Sequence, residues 1–71
     1  MPTAGDVTVT VTYPDGAEET YLVAAADAAN IVKGDVVIKF KGKKTSGTPD
    51  SVADDYEFTR AQIRKIKFHT N

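Results

Sequence analysis

Asp55-Tyr-Glu-Phe-Thr-Arg-Ala-Gln-Ile-Arg-Lys-Ile-Lys-Phe-His69 is the stretch whose reading decides the fold. Its apolar residues include Phe58, Ile63, Ile66 and Phe68, and two periods compete among them. Ile63 and Ile66 stand three apart, as on a helix face, whereas Ile66 and Phe68 stand two apart, as on a strand. Thr59-Arg-Ala-Gln62 has the form of a capping box, in which the Thr hydroxyl and the Gln amide satisfy orphan backbone donors. Such a box opens either a helix or a single turn. The residues that remain allow about three helical turns, which are marginal alone. Lys65, Lys67 and His69 alternate with Ile66 and Phe68, the pattern of a half-buried strand. The stretch therefore predicts one 3₁₀-like turn at residues 59–62 and a strand from Ile63 to His69, with a helix as the alternative.

A closing strand needs earlier strands to lie against. The cleanest runs from Asp6 to Tyr13, where Val7, Val9, Val11 and Tyr13 alternate with Thr8, Thr10 and Thr12. Period two, with β-branched residues and Thr on the wet side, marks a strand buried on one face. Pro14-Asp-Gly16 supplies turn chemistry, so a hairpin follows, with Glu18 to Ala24 as its second strand. Residues 22–33 are rich in helix formers, and Gly34 suits a C-cap, so a helix from Ala17 to Lys33 competes here. The β-preferring Glu19-Thr-Tyr-Leu-Val23 favours a strand to about Ala24, a bend or single turn at 25–29, and a short strand from Asn30 to Lys33. After a turn at Gly34-Asp35, Val36 to Lys41 reads as a strand with Val36, Ile38 and Phe40 inward. Residues 1–5 read as a loose tail. Gly42 to Asp54, with two Gly, one Pro and small polar residues, reads as an exposed, mobile loop. The expected core is Val7, Val9, Val11, Tyr13, Tyr21, Val23, Ile31, Val36, Ile38, Phe40, Phe58, Ile63, Ile66 and Phe68.

The expected fold class is all-β: one small domain over residues 1–71, a twisted antiparallel barrel or roll of five to six short strands. A chain this short buries only about 60% of its unfolded surface, leaving little room for a large cleft beside a core. Cysteine is absent, so disulfides, thiolate metal sites and a cysteine nucleophile are excluded. Met-Pro-Thr-Ala-Gly-Asp carries no basic segment followed by an apolar run, and no apolar stretch approaches the ~20 residues of a membrane span. The expected location is the cytoplasm of the producing or host cell.

These strands and turns resemble small SH3-like or Sm-like β-barrels. More narrowly they are similar to short β proteins of actinobacteria and their phages. The matching residues are Val9, Val11, Asp15 and Gly16, then Gly34 with Val36 to Phe40, then Phe58, Ile63, Ile66 and Phe68. These are core and turn positions, so the resemblance implies a fold and no activity. The Asp-x-x-x-Asn loop and Arg-Gly pair of RNA-binding Sm proteins are missing, as are the groove aromatics of peptide-binding SH3 domains.

Charge is the one functional signal. Net charge is −1, yet residues 1–32 hold five acids and no Lys or Arg, while residues 33–71 hold all nine basic residues against five acids. Lys39, Lys41, Lys43 and Lys44 sit on or just after one strand, and Arg64, Lys65 and Lys67 on the last. If both strands face one side, these cations form a patch for a phosphate backbone. No aromatics interleave with them, since Phe40 and Phe68 point inward, so no base-stacking platform is visible. Lysines on strands also serve to protect edges. His69 lacks a second His or any Cys as co-ligand and reads as a surface residue. Asp54, Asp55 and Glu57 lack the Asp-x-Asp spacing of a calcium loop and read as solvated acids. Thr45-Ser-Gly47 and Asp50-Ser51 have no base placed for them and read as turn polarity.

The expectation is a non-catalytic binding module acting through protein–protein contact, with no cofactor, no metal and no membrane partner, and with self-association included. Leu22 and Val37, which alternate outward, are the candidate contact residues. Nucleic-acid binding through the basic strand face is the alternative.

Overall fold

The valine–threonine alternation becomes β1 (Val7–Thr12), with its valines buried and its threonines half-buried. A computed structural model of the chain describes residues 4–71. β1 turns through Pro14-Asp-Gly16 into β2 (Glu18–Val23). Gly16 takes a φ of +94°, and the Asp15 carboxylate accepts the Ala17 N–H at 2.9 Å, so each turn residue does what its type favours.

The Ala-rich segment does not become a long helix. It yields one turn, α1 (Ala25–Ala28), because β2 continues through Val23. The Asp6 carboxylate, at the start of the adjacent β1, accepts the Ala25 N–H at 2.9 Å and caps that turn. β3 (Val32–Lys33) is shorter than the expected Asn30–Lys33, and it is followed by β4 (Val37–Lys44) and β5 (Asp54–Thr59). A 3₁₀ turn at Arg60–Gln62 then leads into β6 (Lys65–Thr70). The turn forms where the capping box lies, and the Thr59 N–H donates to Gln62 Oε1 at 3.0 Å. Arg60 fastens this turn to the β3–β4 corner, its backbone N–H donating to the Val36 carbonyl and its Nε to the Gly34 carbonyl.

The six strands form a curled antiparallel half-barrel. Its order is β3-β4-β2-β1-β6, with β5 paired to the other side of β4. β4 holds the two halves together, pairing with β5 over Val37–Gly42 and with β2 at Lys43 and Lys44. Gly42 sits at the crossing, where a Cβ would lie 2.7 Å from the Leu22 carbonyl oxygen. β6 pairs with β1 along its whole length, from Val7↔Thr70 to Thr12↔Lys65.

The core is Val7, Val9, Val11, Tyr21, Val23, Ile38, Phe40 and Ile63. Tyr13, Ile31, Phe58, Ile66 and Phe68 pack around it half-buried. Tyr21 is the aromatic centre, with ring centroids 5.3 Å from Phe40, 4.7 Å from Tyr56 and 5.9 Å from Phe58. Val36, expected inside, is 70% exposed. The Gly34 N–H closes the corner onto the Val37 carbonyl, so Val36 still belongs to the turn and the strand's alternation starts one residue later.

Two segments are more structured than expected. Of the expected tail, Gly5 is tied by its N–H to the Asn71 carbonyl at 2.8 Å, and residues 1–3 lie outside the described residues. Of the expected 42–54 loop, Gly42 to Lys44 belong to β4 and Asp54 to β5. The connection that remains, residues 45–53, is anchored at several points. The Thr45 N–H donates to the Thr20 carbonyl, the Thr20 N–H to Ser46 Oγ, and the Asp50 N–H to the Lys44 carbonyl.

Candidate functional site

The sheet order decides what the basic residues form. β4 and β6 lie on either side of the β2–β1 pair. Three interstrand steps separate them along the sheet, with β2 and β1 between. Arg64, Lys65 and Lys67 therefore stand as one basic group, and the lysines of β4 as another.

Three of the four β4 lysines, Lys39, Lys41 and Lys44, face acids. Lys39 is paired in register with Glu57, Nζ to Oε1 at 3.8 Å, and Lys41 stands opposite Asp55. The acidic run Asp54-Asp55-x-Glu57 thus lies alongside the β4 lysines. Lys43 points outward, in the row His69–Thr8–Leu22–Lys43. Lys44 faces the other side, in register with Tyr21, and grips Glu19 at 2.7 Å. On β6, Lys67 heads the row Thr10–Thr20, and Lys65 the row Thr12–Glu18, where the Thr12 hydroxyl donates to the Glu18 carboxylate. Among the described residues, Arg64, Lys65 and Lys67 make no ion pair within 4 Å.

The two apolar contact candidates do point outward but are half-covered. Leu22 lies between Thr8 and Lys43, and Val37 opposite Thr59. The strongly exposed apolar side chains are others. Val36 is 70% exposed and Val32 50%, on the two limbs of the β3–β4 corner, and Val52 is 70% exposed in the 45–53 loop. Val32 also lines an open groove of about 550 Å³. Asp27 and Asn30 form its wall beside Val32, Lys39 to Lys41 run along it, and Asp55 to Glu57 face them. The groove therefore carries both signs of charge.

A polar cluster closes the end of the core where β2, β4 and the 45–53 loop meet. The Glu19 carboxylate takes hydrogen bonds from Lys44 and from the Tyr21 hydroxyl. The Asp50 carboxylate takes the Tyr56 hydroxyl and the Lys44 backbone N–H. Lys44 lowers the Glu19 pKa and is itself raised by the same bond. The Tyr56 bond lowers Asp50, and the same bond pushes Tyr56 up to about 12. Burial raises Tyr21 further still. Each shift moves its group away from neutrality, whereas acid–base catalysis works best with a pKa near the operating pH. The arrangement holds protons in place and ties down a loop.

The sequence signals for this cluster were partial. Tyr56 and Phe58 flank Glu57 at strand spacing, which marks Tyr56 as inward. Asp50 carries no such signal, because its partners stand on the strands to either side of the loop and one of them is the Lys44 backbone N–H. Among the described residues no group of His, Cys, Asp and Glu is gathered for a metal ion, and no helix is long and apolar enough to cross a membrane. Comparisons with protein-family models, with curated proteins and with solved structures found no match.

Proposed function

We propose that this chain is a non-catalytic binding module of the small SH3-like or Sm-like barrel type. On this reading it works in the cytoplasm through protein–protein contact, including contact between copies of itself. The observation that carries the reading is the exposure of Val32 and Val36 on one corner beside the mixed-charge groove. A rigid corner that presents apolar side chains next to charges of both signs suits a protein surface, which offers both kinds of group. The corner is held in shape from behind by the two Arg60 hydrogen bonds, so little ordering is needed on contact.

The test is light scattering for mass followed by affinity capture from host lysate, with the wild-type chain beside Val36→Asp and Val32→Asp. Both changes lie on exposed residues and leave the core alone. Wild-type association or capture that falls about ten-fold in either variant is the expected result, the scale of one lost apolar anchor. A monomer that captures nothing, or a capture indifferent to both changes, overturns the reading. Nucleic-acid binding is the second reading, favoured by Arg64, Lys65 and Lys67, which have no ion-pair partner among the described residues. It requires binding at low salt that weakens steeply as salt rises. Absence of binding at low salt removes it.

A further inference from the structure

Three strands each have one strand neighbour among the described residues: the two-residue β3, paired only with β4, and the two six-residue edges β6, paired only with β1, and β5, paired only with β4; the two long edges are the ones with room for a further strand. The outward charges of β5 and β6 are opposite. β6 presents Lys65, Lys67 and His69, and β5 presents Asp55, Glu57 and Thr59, with Ile66 and Phe68 and with Tyr56 and Phe58 as their inward residues. All four inward residues are only half-buried. A groove of about 500 Å³, lined by Val7, Ile31, Phe68 and Thr70 among others, lies beside β6. Lys33 Nζ sits 4.6 Å from the Phe68 ring centre.

The hydrogen bonding fixes which backbone groups each edge offers. The Asn71 N–H donates to the Asp6 carbonyl, so antiparallel alternation turns Lys65, Lys67 and His69 toward β1 and leaves Ile66, Phe68 and Thr70 on the outer edge. The Arg60 N–H donates to the Val36 carbonyl, so Tyr56 and Phe58 turn toward β4 and leave Asp55, Glu57 and Thr59 on the outer edge. In a parallel pair, one residue bonds to the two that flank its neighbour, and the neighbours share a face. These two edges meet that condition with Glu57 between Ile66 and Phe68 of a second copy. That register sets Asp55 beside Lys65, Glu57 beside Lys67, Tyr56 beside Ile66 and Phe58 beside Phe68.

Other junctions fit worse. An antiparallel β5–β6 junction sets Tyr56 and Phe58 beside lysines. Pairing β6 with β6 places lysines against lysine or histidine, and β5 with β5 places acid against acid, both unfavourable across strands.

We infer that β5 of one copy joins β6 of a second as parallel neighbours, with this complementary edge pair as the contact between copies. The inference rests on the self-association included in the proposed function and names its surface. A contact between unlike edges either closes into a ring or runs on as a filament.

The experiment is sedimentation of the full chain over a range of concentrations at low and high salt, with three variants: Glu57→Lys, Lys67→Glu and the two combined. Circular dichroism checks that each is folded, and Glu57→Gln stands in if Glu57→Lys is not. The wild type is expected to rise above monomer mass with concentration. Each single reversal is expected to weaken association about ten-fold, and the combined variant to restore it. Association unchanged in both single variants overturns the edge pairing, while leaving contact through Val32 and Val36 standing. A wild type that stays monomeric throughout also overturns it, and capture by the wild type then decides the broader reading separately.

Discussion

Gly42 shows how one residue joins the two halves of this sheet. It is buried in β4 as the last residue paired with β5, directly before the segment that pairs with β2. A side chain there meets the Leu22 carbonyl oxygen at 2.7 Å and a Val23 methyl at 3.1 Å. Backbone cannot yield as a flexible side chain would, so Gly42→Ala is expected to destabilise the fold by ~1–3 kcal/mol, the usual scale of overpacking. Chemical denaturation checks this, and an unchanged midpoint would show that β4 and β2 separate easily. The requirement was hidden in the sequence. Gly42 opens a run of Gly, Lys, Thr and Ser, and nothing local distinguishes a glycine needed for close strand approach from one that starts a loop. Val36 lies outside the core for a related reason: alternation gives a strand's faces but not its first residue, and the corner hydrogen bond from Gly34 to Val37 sets that.

Among the elements, the strands were legible and the connection at residues 45–53 was not. Strand alternation is written in neighbouring residues, so β1, β4 and β6 could be read directly. The 3₁₀ turn was legible through Thr59 and Gln62, because a cap is also a local device. The 45–53 connection is held by Thr20, Lys44 and Tyr56, partners supplied by other strands or by the strands it joins. Its anchor has a pH signature. Hydrogen bonds from Tyr56 and from the Lys44 N–H hold the Asp50 pKa below its ordinary value, so the unfolded chain takes up this proton first as pH falls. Stability from the anchor is therefore complete above the ordinary Asp range, near pH 4, and is lost as pH drops through the lowered folded value. Asp50→Ala is expected to lower the melting temperature at pH 6, with the difference from wild type closing as pH falls below about 4. Melting curves across that range check the sign, and a difference that widens in acid would show that the carboxylate does not hold the loop. The Tyr56 side of the same bond, pushed up to about 12, gives stability that fades only in strong alkali.

For the whole molecule, the strand order sorts the charges. Composition shows an acidic first half and a basic second half, and the sheet order sets Lys39 and Lys41 of β4 beside the acids of β5 and leaves the β6 cations at an edge. The separate charged strands could be read from the sequence, but their neighbours depend on long-range pairing, which has no local pattern. The pairing that matters most is β1 with β6, which runs from Val7↔Thr70 to Thr12↔Lys65 and brings Gly5 and Asp6 onto Asn71. This pairing also determines when the protein finishes folding. Contacts between segments so far apart in sequence form only after a long loop closes, so folding on roughly the millisecond-to-second scale is expected, slower than for a helical domain of this size. Stopped-flow refolding checks this, and a microsecond phase accounting for the whole signal would contradict it. In order of synthesis β1 comes well before β6, the strand that covers its second edge. Until β6 is in place the β1–β2 hairpin carries an apolar valine face and an unpaired edge, so an intermediate lacking the β1–β6 pairing is the one most prone to aggregation.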